Sequence, residues 1–210
     1  VYTWDGKHEL DASIMHGAHL DAGAVAGVTT VQSPIALARA VMEQSPHVML
    51  ASKGAEQFAR ELGIPEVSPA YFETERRKRA LESYKARKQA GVEPRVDYKF
   101  GTVGVVVLDS KGNLVAGTST GGMTGKRWGR IGDAPVIGAG TYADNRSCAV
   151  SATGHGEYFI RHTVARDICA RMQFAGQSLQ EAAETVITVE LVAAGGDGGV
   201  VAVDASGEVS

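Results

Sequence analysis

Cysteine is scarce: the 210-residue chain carries only Cys148 and Cys169. Their separation matches no metal-binding or redox motif, so both read as small core residues that do not decide the compartment. Long apolar runs are lacking too. No stretch reaches the ~20 residues of a membrane span, and no leader-like segment opens the chain. Neither sign of charge dominates, since 21 Lys and Arg stand against 24 Asp and Glu. That balance excludes the basic surface expected of a nucleic-acid binder or an anionic-membrane binder. His8, His16, His19, His47, His155 and His162 are scattered without ligand spacing, so no metal site is expected. There are no internal repeats.

What is present suits one substantial core. The hydrophobic fraction is 44% and the mean hydropathy −0.08, ordinary for a globular chain. Glycine is plentiful at 26 residues, which points to tight turns and close backbone approaches. The chain starts at Val1 without Met, opens in an apparent strand and stops at Ser210 just after another. Both natural ends are therefore expected to lie outside it, which leaves room for a leader.

Strands are expected at 1–3, 8–15 and 22–31, with a turn at Trp4-Asp5-Gly6. Ser33-Pro34 reads as an N-cap and first helical residue, followed by apolar spacing through Ile35, Ala38, Val41 and Met42. A second helix is expected over 55–62. A charged, solvated helix opens near Glu73 and fades past Lys88 into a linker at about 90–101. The nearly continuous apolar run from Val103 to Leu108 predicts a strand buried on both faces. A hairpin turn at 109–113 then returns the chain along 114–118. A strand over 146–153 and helices over 157–172 and 178–193 follow, the last opened by a Ser178/Glu181 capping box. Gly195 to Gly199 lacks a phosphate-loop ending and reads as a turn into a strand at 200–204. Strand-turn-strand pairs outnumber βαβ units, which favours an α+β class with antiparallel sheet.

Three segments carry candidate chemistry. Thr102 stands where the linker meets a strand. If the chain is cut after Gly101, the new α-amine of Thr102, with a pKa of about 7.7–8.0, can serve as base for its own hydroxyl. Thr118-Ser119-Thr120 brings three hydroxyls to a strand end before Gly121-Gly122. Beyond them Arg130 and Asp133 could hold opposite ends of a zwitterion. Thr153-Gly154-His155-Gly156-Glu157 forms a strand-to-helix turn suited to an oxyanion hole. Taken singly, an ordinary strand start, a polar turn and a surface ion pair would explain these segments as well.

Together, however, HELDASIM, AGAVAGV, PIALARAVMEQSPHVML, GTVGVVVLD, TSTGGMTGKRWGRIGDAPVIGAGTYADN and SATGHGEYFIR resemble the plant-type asparaginase / isoaspartyl peptidase family of N-terminal-nucleophile hydrolases. The resemblance is weakest between Tyr71 and Phe100. It implies a four-layer αββα sandwich made as one precursor and cut between Gly101 and Thr102. Residues 1–101 would be the α part and 102–210 the β part of one structural domain. It further implies Thr102 as nucleophile and base, with Thr120 tuning it. Arg130 would hold the substrate α-carboxylate, and Asp133 the ammonium with help from the Gly156 backbone. Thr153 and the Gly154 N–H would form the oxyanion hole.

The implied reaction releases aspartate from L-asparagine or β-aspartyl dipeptides. It needs no catalytic cofactor, no nucleic acid and no membrane. A homodimer of αβ units is implied, working in the cytoplasm, with the periplasm as alternative. The family's His-Gly-Gly strand, its Asn-Ala-Gly segment, its structural-sodium loop and its closing segment have no counterpart here. Two readings compete. An aspartylglucosaminidase-like enzyme would typically show Asp-Thr-Ile-Gly at the nucleophile. A non-catalytic aspartate-binding homologue would not need Thr102, Thr120 and Thr153.

Overall fold

The computed structural model describes residues 1–92 and 101–210. In chain order these form β1 (Leu10–His16), β2 (Asp21–Val28), α1 (Pro34–Gln44), β3 (Met49–Ala51), α2 (Ser52–Glu61), α3 (Glu75–Gln89), β4 (Thr102–Leu108) and β5 (Leu114–Thr120). Then come β6 (Thr141–Ala143), β7 (Cys148–Gly154), α4 (Gly156–His162), α5 (Val164–Ala175), α6 (Leu179–Glu184) and β8 (Gly198–Asp204). The expected linker falls mostly on 93–100, outside the described residues.

One sheet runs β3-β2-β1-β5-β4 and the other β6-β7-β8. All pairs are antiparallel except β2 with β3. The inner faces of β1, β4 and β5 pack on the second sheet, α1 and α2 cover the outside of the first, and α5 and α6 cover the outside of the second. The result is the expected αββα order.

Residue alternation sets each face. On β1, Ala12 and Ile14 face the α1–α2 side with Val25, Leu37 and Val41, whereas Met15 faces the other core with Leu114 and Val150. Gly23 lets α1 lie directly on β2, because a Cβ there would overlap the Ala38 carbonyl. Between the sheets runs a buried chain of hydroxyls. Ser13 donates to Thr141 at 2.7 Å, Thr141 donates to Thr118 at 2.6 Å, and Thr118 and Ser151 share a bond of 2.6 Å. Each polar group in this seam has a partner, which avoids a desolvation penalty of about 1–3 kcal/mol per orphaned group. Gly104 lies against it, since a Cβ there would strike Ser151 Oγ.

Several expectations are corrected. β4 is not buried on both faces: it is the edge strand, and Val103, Val105 and Val107 are 70%, 55% and 42% exposed. Its other face meets the second sheet, so a continuous apolar run conceals a one-sided strand. Residues 1–3 form no strand; Tyr2 and Trp4 bond instead to the loop at Gly125 and Lys126. The helix expected over 157–172 breaks at Thr163, whose left-handed φ of +48° separates α4 from α5. α6 keeps its Ser178/Glu181 capping box but widens into π-helical turns over Thr185–Leu191. Ser33 stands at the N-cap of α1 without a side-chain capping bond. The short strands β3 and β6 were not foreseen.

Cys148 and Cys169 are both fully buried, as expected of core residues, but they are joined in a disulfide that ties β7 to α5. Closing this 21-residue separation should stabilise the fold by about 2–4 kcal/mol. Cys169→Ala should therefore lower the urea midpoint. Thiol titration of unreduced, denatured protein should find no free cysteine; titratable thiols in that sample would contradict the bond.

Candidate active site

Thr102 opens β4 directly opposite Thr120 at the end of β5. Its hydroxyl donates to Thr120 Oγ1 at 3.1 Å. Thr120 Oγ1 donates in turn to the Gly101 carbonyl at 3.1 Å and accepts the Gly122 N–H at 3.0 Å. One donor and two acceptor positions are the full capacity of a hydroxyl, so Thr120 is oriented by its partners. Gly122 has φ +75°, and a Cβ on it would press to 3.1 Å of Lys126 Cδ. Only glycine suits both the conformation and the space.

Lys126 is a buried cation beneath this turn. Its Nζ donates to the Glu9 carbonyl at 2.9 Å and lies 3.9 Å from Asp11 Oδ2. Burial pushes the ammonium down and the Asp11 carboxyl up, while their mutual attraction opposes both shifts.

Arg130 and Asp133 lie on the loop between β5 and β6. Arg130 makes a two-pronged bond to Glu157, with Nε at 2.9 Å and Nη2 at 2.8 Å from its carboxylate oxygens. That bond holds the Glu157 carboxyl below its ordinary range. Asp133 is buried, and its Oδ2 accepts no hydrogen bond among the described residues. Desolvation pushes its carboxyl up to about 6, against the pull of Arg130. The Gly156 backbone sits against both groups, for a Cβ there would come within 2.8 Å of Arg130 Nη2 and of Asp133 Oδ1. The loop thus presents a cation paired with Glu157 and a carboxylate with one oxygen unbonded among the described residues.

Thr153 and Gly154 end β7 where the chain turns into α4. A side chain at Gly154 would come within 2.7 Å of Asp197 O, Phe159 and Gly198, so close approach demands glycine. Gly101, Thr102, Thr120, Arg130, Asp133 and Gly154 line one pocket, and Thr153 lines an adjoining opening on the other side of Thr102. With Gly101 still joined to Thr102, the pocket has about 20 Å³ of open volume, roughly one water molecule. Thr102, Thr120, Arg130, Asp133, Thr153 and Gly154 thus come together around Thr102, with the Gly156 backbone behind Arg130 and Asp133. His155 does not join the pocket lining; its Nε2 faces Glu157 at 3.3 Å and its ring lies against Tyr158. Of the three hydroxyls before Gly121, only Thr120 reaches the pocket, while Thr118 belongs to the inter-sheet seam.

Three site-forming residues went unassigned in the sequence: Glu157, Lys126 and Asp11. Glu157 follows Gly156 in the first turn of α4, where an acid suits a helix N-terminus, and nothing local marks it as the partner of Arg130. Among the described residues no group of His, Cys, Asp or Glu could hold a metal ion. No described helix is long and apolar enough to cross a membrane.

A strand-leading threonine set between two sheets, beside an Arg and an Asp whose Oδ2 accepts no bond among the described residues, is the arrangement expected of an N-terminal-nucleophile hydrolase. The sequence profile described as asparaginase matches residues 1–210. The isoaspartyl peptidase of Salmonella typhimurium is 51% identical over all of this chain and 69% of its own length. The isoaspartyl peptidase of Escherichia coli is 51% identical, with 100% and 67% covered. The human isoaspartyl peptidase/L-asparaginase is 43% identical, with 99% and 67% covered. The chain belongs to the asparaginase family of hydrolases.

The raised Asp133 carboxyl has a consequence for stability. Its folded value of about 6 lies above the ordinary 3.8, so ionised Asp133 costs stability, in full above about pH 6 and not at all well below 3.8. Asp133→Asn should raise Tm at pH 8, with the gain shrinking as the pH falls towards 4. A variant less stable than wild type at pH 8 would refute this reading of Asp133.

Proposed function

We propose that the chain hydrolyses the β-aspartyl amide bond of β-aspartyl dipeptides and of L-asparagine, releasing aspartate through a Thr102 nucleophile freed by autoproteolysis. The supporting observation is the Thr120 hydroxyl, bonded at once to the Thr102 hydroxyl and to the Gly101 carbonyl. The names of the relatives, isoaspartyl peptidase and isoaspartyl peptidase/L-asparaginase, agree with it.

In processing, Thr102 Oγ1 attacks the Gly101 carbonyl carbon and the bond to the Thr102 nitrogen breaks. This leaves an ester and a free amine. Thr120 donates to the carbonyl oxygen on which negative charge gathers. Water then cleaves the ester, returning the Thr102 hydroxyl and a Gly101 carboxylate. Residues up to Gly101 become the α part and those from Thr102 the β part of a single structural domain.

In turnover, the Thr102 amine takes the proton from its own hydroxyl, which attacks the β-carbonyl carbon of substrate. The Thr153 side chain and the Gly154 N–H hold the resulting oxyanion. The leaving amine departs with a proton, and water releases aspartate from the acyl-enzyme. Arg130, already shared with Glu157, takes the α-carboxylate. The α-ammonium, steadied by the Gly156 backbone, completes the bonding of Asp133 Oδ2.

A homodimer of αβ units is the proposed assembly. For the compartment, the cytoplasm remains the proposal, and the buried Cys148–Cys169 bond is the feature that speaks for the periplasm. Counting thiols in protein taken from its native host decides between them.

In the full-length protein, Thr102→Ala should abolish hydrolysis. Arg130→Ala should lower kcat/KM for asparagine by about 100-fold. For wild type, kcat/KM should exceed that for asparagine when β-Asp-Leu is the substrate, and for both it should fall as the pH drops below about 8, where the Thr102 amine gains a proton, and more steeply below about 6, where Asp133 gains one too. Full activity in Thr102→Ala would overturn the mechanism, and a loss below tenfold in Arg130→Ala would remove the carboxylate anchor.

A further inference from the structure

Thr102 stands between two openings. On one side lies the pocket with Arg130 and Asp133. On the other is an opening of about 220 Å³, whose lining includes Thr102, Gly104, Ser151, Thr153, Gly199 and Val201. That volume is below the ~300–1,000 Å³ of sites for drug-sized ligands, so it suits one side chain rather than a large molecule. Among the described residues its lining carries no charged group. The Ser151 hydroxyl is already bonded to Thr118, which leaves a largely apolar cleft beside Thr102 and Thr153.

Gly199 is the residue in this cleft that the fold does not explain. It is the second residue of β8, and glycine weakens a strand because it has no side chain to pack. Its neighbours have reasons to be glycine. A Cβ on Gly198 would overlap the Thr153 carbonyl, and one on Gly154 would overlap the Asp197 carbonyl. At Gly199 no described atom lies within 4 Å of the place a Cβ would take, and φ is not left-handed. The β7–β8 register runs unbroken past it, so it marks no bulge. Its direction follows from the pairing. Ser151 and Val201 are directly opposite and both face Gly104 of β4, while Thr153 and Gly199 are the next such pair on that face. Gly199 thus leaves open space beside the Thr153 side chain. A strand glycine with neither bulge nor close backbone contact is the mark of a place where a ligand approaches.

We infer that this cleft is the subsite for the side chain of the leaving amino acid of a β-aspartyl dipeptide, and that Gly199 sets the size it admits. The inference rests on the proposed β-aspartyl hydrolase reading. There Arg130 and Asp133 fix the aspartyl half on one side of Thr102, and Thr153 and Gly154 hold the oxygen of the scissile carbonyl. The substrate beyond that carbonyl continues past Thr102 and Thr153, and both line the cleft. Its uncharged, partly valine walls match an aliphatic side chain. Asparagine releases only ammonia, which has no atoms to place there, so the cleft discriminates among peptide substrates alone.

The test uses the processed, full-length enzyme with β-Asp-Leu, β-Asp-Phe, β-Asp-Gly and asparagine. Wild type should prefer β-Asp-Leu over β-Asp-Gly by about tenfold in kcat/KM. Gly199→Val fills the cleft and should bring that ratio to near unity, while Tm holds or rises because a β-branched residue suits a strand. Val201→Ala widens the cleft and should raise kcat/KM for β-Asp-Phe relative to β-Asp-Leu by about threefold or more; this variant decides alone if Gly199→Val does not fold. A Leu-to-Gly preference in Gly199→Val that stays within twofold of wild type overturns the subsite, as does an unchanged Phe-to-Leu ratio in Val201→Ala. If wild type cleaves asparagine but neither β-Asp-Leu nor β-Asp-Gly, the subsite falls and the Thr102 amidohydrolase stands. If it cleaves none of the four, the underlying hydrolase reading falls and the subsite with it.

Discussion

The hydroxyl of Thr120 holds the two sides of one peptide bond, accepting from the Thr102 hydroxyl and donating to the Gly101 carbonyl. That double contact exists only because β4 and β5 pair in a register that sets Thr102 opposite Thr120. A slip of one residue would turn every side chain of β4 to the other face and take the nucleophile candidate out of the pocket. Behind it, Gly122 can donate to Thr120 because its left-handed turn fits over the buried Lys126 side chain. The chemistry proposed for Thr102 is thus supported by a hairpin register, a glycine turn and a buried lysine.

The same edge of the first sheet must also reach the second. Gly104 makes the approach close, and the Ser13–Thr141–Thr118–Ser151 seam gives the two sheets a polar bond where hydrocarbon alone would allow sliding. Through β7 this seam runs up to Thr153 and Gly154, which end the same strand. The charges divide in a complementary way. Arg130 is satisfied by Glu157, whereas Asp133 keeps a buried oxygen without a donor among the described residues. In the proposed function a zwitterionic substrate would supply the missing donor, and its carboxylate would share the guanidinium with Glu157.

Much of this was legible in the sequence because it is written locally. The 109–113 hairpin turn, the Ser178/Glu181 capping box and the Thr153–Gly156 turn are short-range patterns, and each is found in place. The site residues could be named from motifs because three short segments carry nearly all of them. What escaped depends on distant pairs. The Cys148–Cys169 bond joins a strand to a helix. Glu157 matters only because Arg130, 27 residues earlier, folds onto it. The exposure of Val103, Val105 and Val107 follows from the place of β4 at the sheet edge, which an apolar run cannot reveal.

The central claim is that the bond held by Thr120 is the one that breaks. N-terminal sequencing of the smaller chain from the purified full-length protein, together with its intact mass, tests this most directly. The account predicts a chain that begins at Thr102 with an unmodified amine. A single uncut chain, or a new N-terminus at any residue other than Thr102, would contradict it.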